Sequence, residues 1–254
     1  MKRLVLTLIL VPVSFIALLP LLSMIVLSFC DGRFPSFPWP GWSLRWYHEL
    51  LGDGKLLTSL TRSALVASAV AIISSVMGYG SGYWLARLPR PVGEKLMLIF
   101  TLPALIPFIL FGYCFSDFAR HLEIIRTVGA VIIAHIVVFS PLSLALCYRR
   151  IRQLNSDVED AARELGASES RIFLQVTGGQ IWRTILASQI IVFVLSWDEY
   201  IISWFVSGFD KTYPVQVRTM LESTMSPEIN AVGSVIALTS CVLMGLALFL
   251  LKRQ

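Results

Sequence analysis

Two carboxylates stand side by side inside an apolar run: Asp198 and Glu199, within Leu195-Ser196-Trp197-Asp198-Glu199-Tyr200. A carboxylate in the middle of a bilayer costs roughly 2.5 to 3.5 kcal/mol even on the lenient insertion scale. On a helix the two side chains point about 100° apart. One is then able to face a hydrated cavity while the other pairs with a neighbouring helix. The chemistry that suits such a pair is the attraction of a cation in transit. Trp197, Tyr200 and Trp204 would add cation–π contacts of about 0.5 to 2 kcal/mol each if they face the path. The competing reading is a pair at the membrane edge, or a partner for Arg62 or for a charge on another subunit. Counted back from Gly208 at a rise of about 1.5 Å per residue, the pair lies about 14 Å below the outer end of its run, which favours the interior. His135 also lies inside an apolar run. It reads as a proton relay or as a hydrogen-bonded packing residue. The second is favoured because no ionisable group lies near it in sequence.

Other reactive residue types do not assemble into sites. An enzyme needs a nucleophile with a base, or a metal set. His48, His121 and His135 are scattered and show no HExxH spacing. Cys30, Cys114, Cys147 and Cys241 show no CxxC or metal spacing and read as small packing residues. Gly52-Asp53-Gly54-Lys55 lacks the upstream glycine of a phosphate-binding loop, and Leu56 stands where Ser or Thr must bind magnesium. Gly78, Gly80 and Gly82 follow no strand, so they form no nucleotide fingerprint. They offer small surfaces for close helix contact instead. No cofactor is expected on this chain. The net charge of +5 comes without a basic run interleaved with aromatics, so nucleic acid is not an expected partner.

The elements that must position these residues are membrane spans. Of the 254 residues, 56% are hydrophobic and 15% charged, against about 25% charged in a soluble domain. Apolar runs of roughly 20 residues read as spans. Six occur, at 4–29, 57–86, 96–118, 128–148, 185–208 and 229–251, within one all-α integral membrane domain over 1–254. The first run is too long for a signal peptide and lacks its cleavage site. Pro103 and Pro107 sit inside the third run, where a proline either kinks a span or breaks it. Thirteen of the 21 Lys and Arg fall on alternate connections: Lys2, Arg3, Arg87, Arg90, Lys95, Arg149, Arg150, Arg152, Arg163, Arg171, Arg183, Lys252 and Arg253. Cytoplasmic segments carry such an excess, so both termini are expected in the cytoplasm. The segment from Cys30 to Leu56 is then external. With Trp39, Trp42, Trp46 and Tyr47 it reads as a folded interfacial cap against membrane lipid.

Residues 155–183 form the long polar segment between two strongly apolar runs. Ser156 and Glu159 have capping-box spacing, and Asp157, Glu159 and Asp160 place negative charge in the first turn. Val158, Ala161, Ala162 and Leu165 recur at i, i+3, i+4 and i+7, which makes one narrow apolar face. Gly166 follows as a left-handed stop. A helix this short needs a surface to lie against. A second helical piece is expected from Ser168 to about Val176, broken by Thr177-Gly178-Gly179.

Asp160-Ala161-Ala162 with Gly166 four residues later resembles the EAA loop of ABC importer permeases. The family pattern has Glu-Ala-Ala, three residues, Gly, nine residues, Ile, one residue and Leu-Pro. This chain has Asp160 for Glu, Val176 for Ile and Gly178-Gly179 for Leu-Pro. The last change loosens the backbone that proline would fix. Ser43-Leu44-Arg45-Trp46-Tyr47, Phe205-Val206-Ser207-Gly208, Tyr213-Pro214 and Ser226-Pro227-Glu228-Ile229-Asn230-Ala231 look like spermidine/putrescine-type permeases. The resemblance implies the type I permease fold in a bacterial inner membrane, with Val158 to Gly166 docking on an ATP-binding subunit. It implies further partners: a dimer of that subunit holding ATP and magnesium, a second homologous permease and an external solute-binding protein. A polyamine is the implied solute. Other small solutes (an opine, an amino-acid derivative, a phosphonate) stay open, as does a secondary transporter, though the latter has no reason to present a docking helix.

Overall fold

The computed structural model describes residues 2–32, 39–223 and 228–252. Arg33 to Pro38 and Arg253, within segments used in the topology above, and Ser226-Pro227, quoted for the resemblance, lie outside the described residues.

The described chain is helical; its extended pairing is an isolated bridge between Cys30 and Trp42. In order the helices are α1 Lys2–Leu27, α2 Arg45–Gly52, α3 Gly54–Arg87, α4 Arg90–Thr101 (continued by a 3-10 turn, Leu102–Leu105), α5 Phe108–His121, α6 Val128–Ile151, α7 Asp157–Glu164, α8 Glu169–Arg171, a π-turn Ile172–Thr177, α9 Gly178–Trp197, α10 Ile201–Val206, α11 Tyr213–Ser223 and α12 Glu228–Lys252. Among the described residues four helices are long and apolar enough to cross a membrane: Gly54–Arg87, Val128–Ile151, Glu169–Trp197 and Glu228–Lys252. Val11–Leu27 is a shorter apolar stretch.

Three sequence expectations change. The third run is not one straight span: Arg90–Leu105 and Phe108–His121 meet at a bend of 89°. Proline pushes the residue before it out of the helical region, and Ile106 is extended (φ −71, ψ 130) ahead of Pro107. The fifth run is not continuous to Gly208. Its helix stops at Trp197, and α10 starts anew at Ile201. Thr177-Gly178-Gly179, in contrast, does not break the chain, because a π-turn leads directly into α9.

The chain divides into two compact units, Met1–Thr58 with Gln216–Cys241, and Ser59–Val215 with Val242–Gln254. In the first, the segment after α1 folds back on itself as the aromatic cap requires. Ser43 N donates to Phe29 O at 2.8 Å. Trp46, 3% exposed, donates its indole N–H to Cys30 O at 2.6 Å. The second unit packs around α6. Val66 and Val70 of α3, Phe115 of α5, Val138 of α6, Val192 of α9 and Ile202 of α10 share one apolar cluster. α3 and α6 touch at Gly78, where an added Cβ would stand 2.5 Å from Ser143 Cβ. Gly80 faces open space while Gly82 also approaches α6, so the close contact belongs to one face of α3, not to the whole glycine run. Arg62 and Arg87 are separated along α3 by about 37 Å of rise, more than the ~30 Å hydrocarbon layer.

Candidate functional site

The gap between α9 and α10 separates the two adjacent carboxylates. Glu199 is buried, with its side chain 2% exposed. Its Oε1 accepts from Ile202 N at 2.7 Å and its Oε2 from Ser203 N at 2.9 Å. These are orphan donors of the first turn of α10, so the carboxylate acts as the cap that Tyr200, the residue at the capping position, does not provide. The same Oε2 lies 3.2 Å from His135 Nε2, and His135 is wholly buried on α6. Ser196 Oγ lies 2.8 Å from His135 Nδ1 and Ser203 Oγ 3.1 Å from Nε2. The four side chains satisfy one another, which is the condition for a polar group to survive burial. This network clamps α6 to both sides of the break.

Asp198 is exposed. It ends α9 with φ −90 and ψ 0. Trp197 is packed against Phe193 and Tyr213, with ring centroids at 5.6 and 6.4 Å. Tyr200 stacks on Trp204 at 6.0 Å, and Trp204 is 47% exposed. Of the five residues expected on a path, Asp198 and Trp204 are open, Trp197 and Tyr200 half-buried, and Glu199 closed off. Arg62, offered as a partner for the pair, instead binds Asp210 at 2.7 Å. The spacing of Ser196 and Ser203, three before and four after Glu199, was the available signal for the network.

The polar segment forms α7 with the expected stop. Gly166 has φ +83, and the Ala167 N–H reaches back to Ala162 O at 3.0 Å. Leu165 is 90% and Val158 46% exposed. Ala161 and Asp160 are exposed, and Ala162 is half-buried. The capping box does not form. Ser156 is helical and makes no side-chain cap, and Asn155 Oδ1 accepts from Asp157 N at 3.1 Å in its place. Glu159 is drawn elsewhere: Arg87 Nη2 donates to its Oε2 at 2.6 Å and Thr177 Oγ1 to its Oε1 at 2.5 Å. The Arg87 guanidinium also lies 3.1 Å over the Tyr83 ring. Glu159 therefore ties α7 to α3 and to the π-turn. That turn is held by Tyr79, whose hydroxyl donates to Phe173 O. Gly178 permits this approach, since a Cβ there would stand 3.2 Å from Tyr79 Oη. Arg163 is hydrogen-bonded to Glu169 at 2.7 Å, which raises its pKa further, and it also pairs with Asp160 at 2.7 Å. The contacts of Arg87 and Thr177 with Glu159, and that of Tyr79 with Phe173, escaped sequence reading because the partners are distant in sequence.

Comparison with known proteins supplies a family. Residues 75–253 match the model of the binding-protein-dependent transport system inner membrane component. The putrescine transport system permease protein PotI of Escherichia coli (strain K12) is 27% identical over 227 residues, covering 85% of this chain and 80% of that protein. The spermidine/putrescine transport system permease protein PotC of the same strain is 25% identical over 230 residues, covering 89% and 85%. Among solved structures, a bacterial ABC transporter involved in the import of the acidic polysaccharide alginate aligns with a TM-score of 0.67 at 16% identity, covering 99% of this chain and 95% of that one. The MetNI methionine ABC transporter in an inward-facing form aligns with a TM-score of 0.56 at 15% identity, covering 79% and 96%. These two share the fold, and the fold is thus common to transporters with very different cargo.

Proposed function

The chain belongs to the family of binding-protein-dependent transport system inner membrane components, a type I ABC-importer permease rather than an enzyme, and on that premise we propose the finer reading. It is one of two membrane subunits of an ATP-driven importer whose solute is a linear polyamine or a close organic cation. α7 docks on the ATP-hydrolysing subunit, a second permease completes the path, and an external binding protein delivers the solute. Six passes, with the bent α4–α5 pair as the third, keep both termini in the cytoplasm of a bacterial inner membrane.

The observation that carries the solute is Asp198: an exposed carboxylate at the break between α9 and α10. A polyamine carries two or more ammonium groups, and a carboxylate facing water in the path lowers the barrier to their passage. A pathway site must also release what it accepts, which suits one open carboxylate better than two. Glu199, paired with His135, serves to hold the break in shape. PotI and PotC carry putrescine or spermidine in their names, which supports the same solute class at low identity. The leading alternative is an ABC permease for another small solute, such as an opine, an amino-acid derivative or a phosphonate. Solute binding to the cognate external binding protein decides between them: preference for an anion or a sugar would remove the polyamine and leave the permease.

A further inference from the structure

α4 and the C-terminal end of α6 line an open cavity of about 650 Å³. Its lining combines Arg90, Arg149 and Arg152 with Glu94 and the apolar Met97 and Leu98. The two helices meet beside it. At Gly93 an added Cβ would stand 2.7 Å from Leu85 O and 3.1 Å from Tyr148 Oη. Tyr148 is 4% exposed and fixes Arg152 in turn. The Arg152 Nη2 donates to Leu88 O at 3.1 Å and Nε to Tyr148 Oη at 3.4 Å. Arg90 is matched by Glu94 at 2.9 Å. Among the described residues neither Arg149 nor Arg152 has a carboxylate within ion-pair reach. Two guanidiniums without a carboxylate partner therefore share this lining with apolar side chains, at the end of a spanning helix. Leu98 of the lining and the next two residues of α4, Ile99 and Phe100, are 60%, 56% and 54% exposed.

We infer that this cavity holds the headgroup phosphate of an anionic phospholipid, with its acyl chains running over the exposed face of α4. Guanidinium is the side chain best matched to phosphate oxygens. Basic pockets between spanning helices at a membrane border recognise anionic headgroups. A free phosphate would gain nothing from Met97 and Leu98, whereas a lipid needs both the charge and the apolar exit. The inference rests on α4 and α6 alone and is independent of the solute and sidedness proposed above.

The test uses the assembled transporter, purified in mild detergent and titrated with dioleoyl phosphatidylglycerol or dioleoyl phosphatidylcholine. Bound lipid is counted by native mass spectrometry, with inorganic phosphate as a competitor in a parallel series. Phosphatidylglycerol is expected to be retained in preference to phosphatidylcholine and to resist inorganic phosphate. Arg149→Gln should weaken its retention about fivefold, the weight of roughly one basic side chain at an anionic surface. Among the described residues Arg149 has no hydrogen-bonding partner to lose, so folding is not at stake, and Arg149→Lys should restore most of the binding. Equal retention of the two lipids, or unchanged retention by Arg149→Gln, overturns the inference. Displacement by inorganic phosphate also overturns it, in favour of a soluble-anion site.

Discussion

The imidazole of His135 lies 3.2 Å from the carboxylate of Glu199, across 64 residues of sequence and with both side chains buried. That pairing divides the work of two adjacent acids. Glu199 is a fastening between α6 and α10, and the proposed encounter with the solute falls to the exposed Asp198.

Glu199→Gln should therefore destabilise the permease more than Asp198→Asn does. An amide nitrogen in place of one carboxylate oxygen would face a donor, Ser203 N or Ile202 N. Leaving a buried donor unsatisfied costs about 1 to 3 kcal/mol. Thermal melting of the purified transporter in detergent reads this directly. An unchanged midpoint for Glu199→Gln, or an equal drop for both variants, would contradict the division.

The proposed docking role of α7 predicts a separate class of defect. Leu165→Asp alters a side chain that is 90% exposed, so the permease alone should melt normally while co-purification of the ATP-hydrolysing subunit falls sharply. Ala162→Asp should act the same way by placing a charge at the docking face. Gly166→Leu should spoil the stop, since φ +83 costs a branched side chain about 1 to 2 kcal/mol. Normal binding-protein-stimulated ATP hydrolysis in all three would refute the assignment.

Glu159 joins α7 to α3 through Arg87 and to the π-turn through Thr177. Glu159→Ala removes both links without touching the exposed face. The expected result is an assembled transporter that still hydrolyses ATP but moves much less solute for each ATP. A proportional fall in both rates would instead mean that Glu159 only supports folding.

The proposed topology predicts labelling. A cysteine placed at Phe209, 100% exposed, should react with an impermeant maleimide added to intact cells. One at Leu165 or Ser170 should react only after the membrane is opened. Reaction at Leu165 in intact cells would reverse the orientation.

Much of this arrangement was legible from local rules. Hydropathy marked the four long apolar helices, and Gly166 marked the end of α7 because a left-handed residue is a local matter. The rest depended on distant partners. The break after Trp197 hides inside an apolar run and is made tolerable by a buried cap and by His135 from another helix. Glu159 has the spacing for a capping box, yet a guanidinium and a hydroxyl from remote segments outcompete the backbone. Gly178-Gly179 reads as a breaker, but the π-turn uses Gly178 to admit the Tyr79 hydroxyl. In each case composition showed that something unusual occurs, and only the tertiary neighbours showed what.

The most direct test of the central claim is ATP-driven uptake of labelled putrescine into proteoliposomes holding the complete transporter and its binding protein. Wild-type vesicles should accumulate putrescine only with ATP. Asp198→Asn should lower the rate at least tenfold, about 1.4 kcal/mol at the barrier, while assembly with the ATP-hydrolysing subunit stays intact. Uptake by Asp198→Asn at the wild-type rate, or no putrescine uptake by the wild type while another solute is carried, would contradict the account.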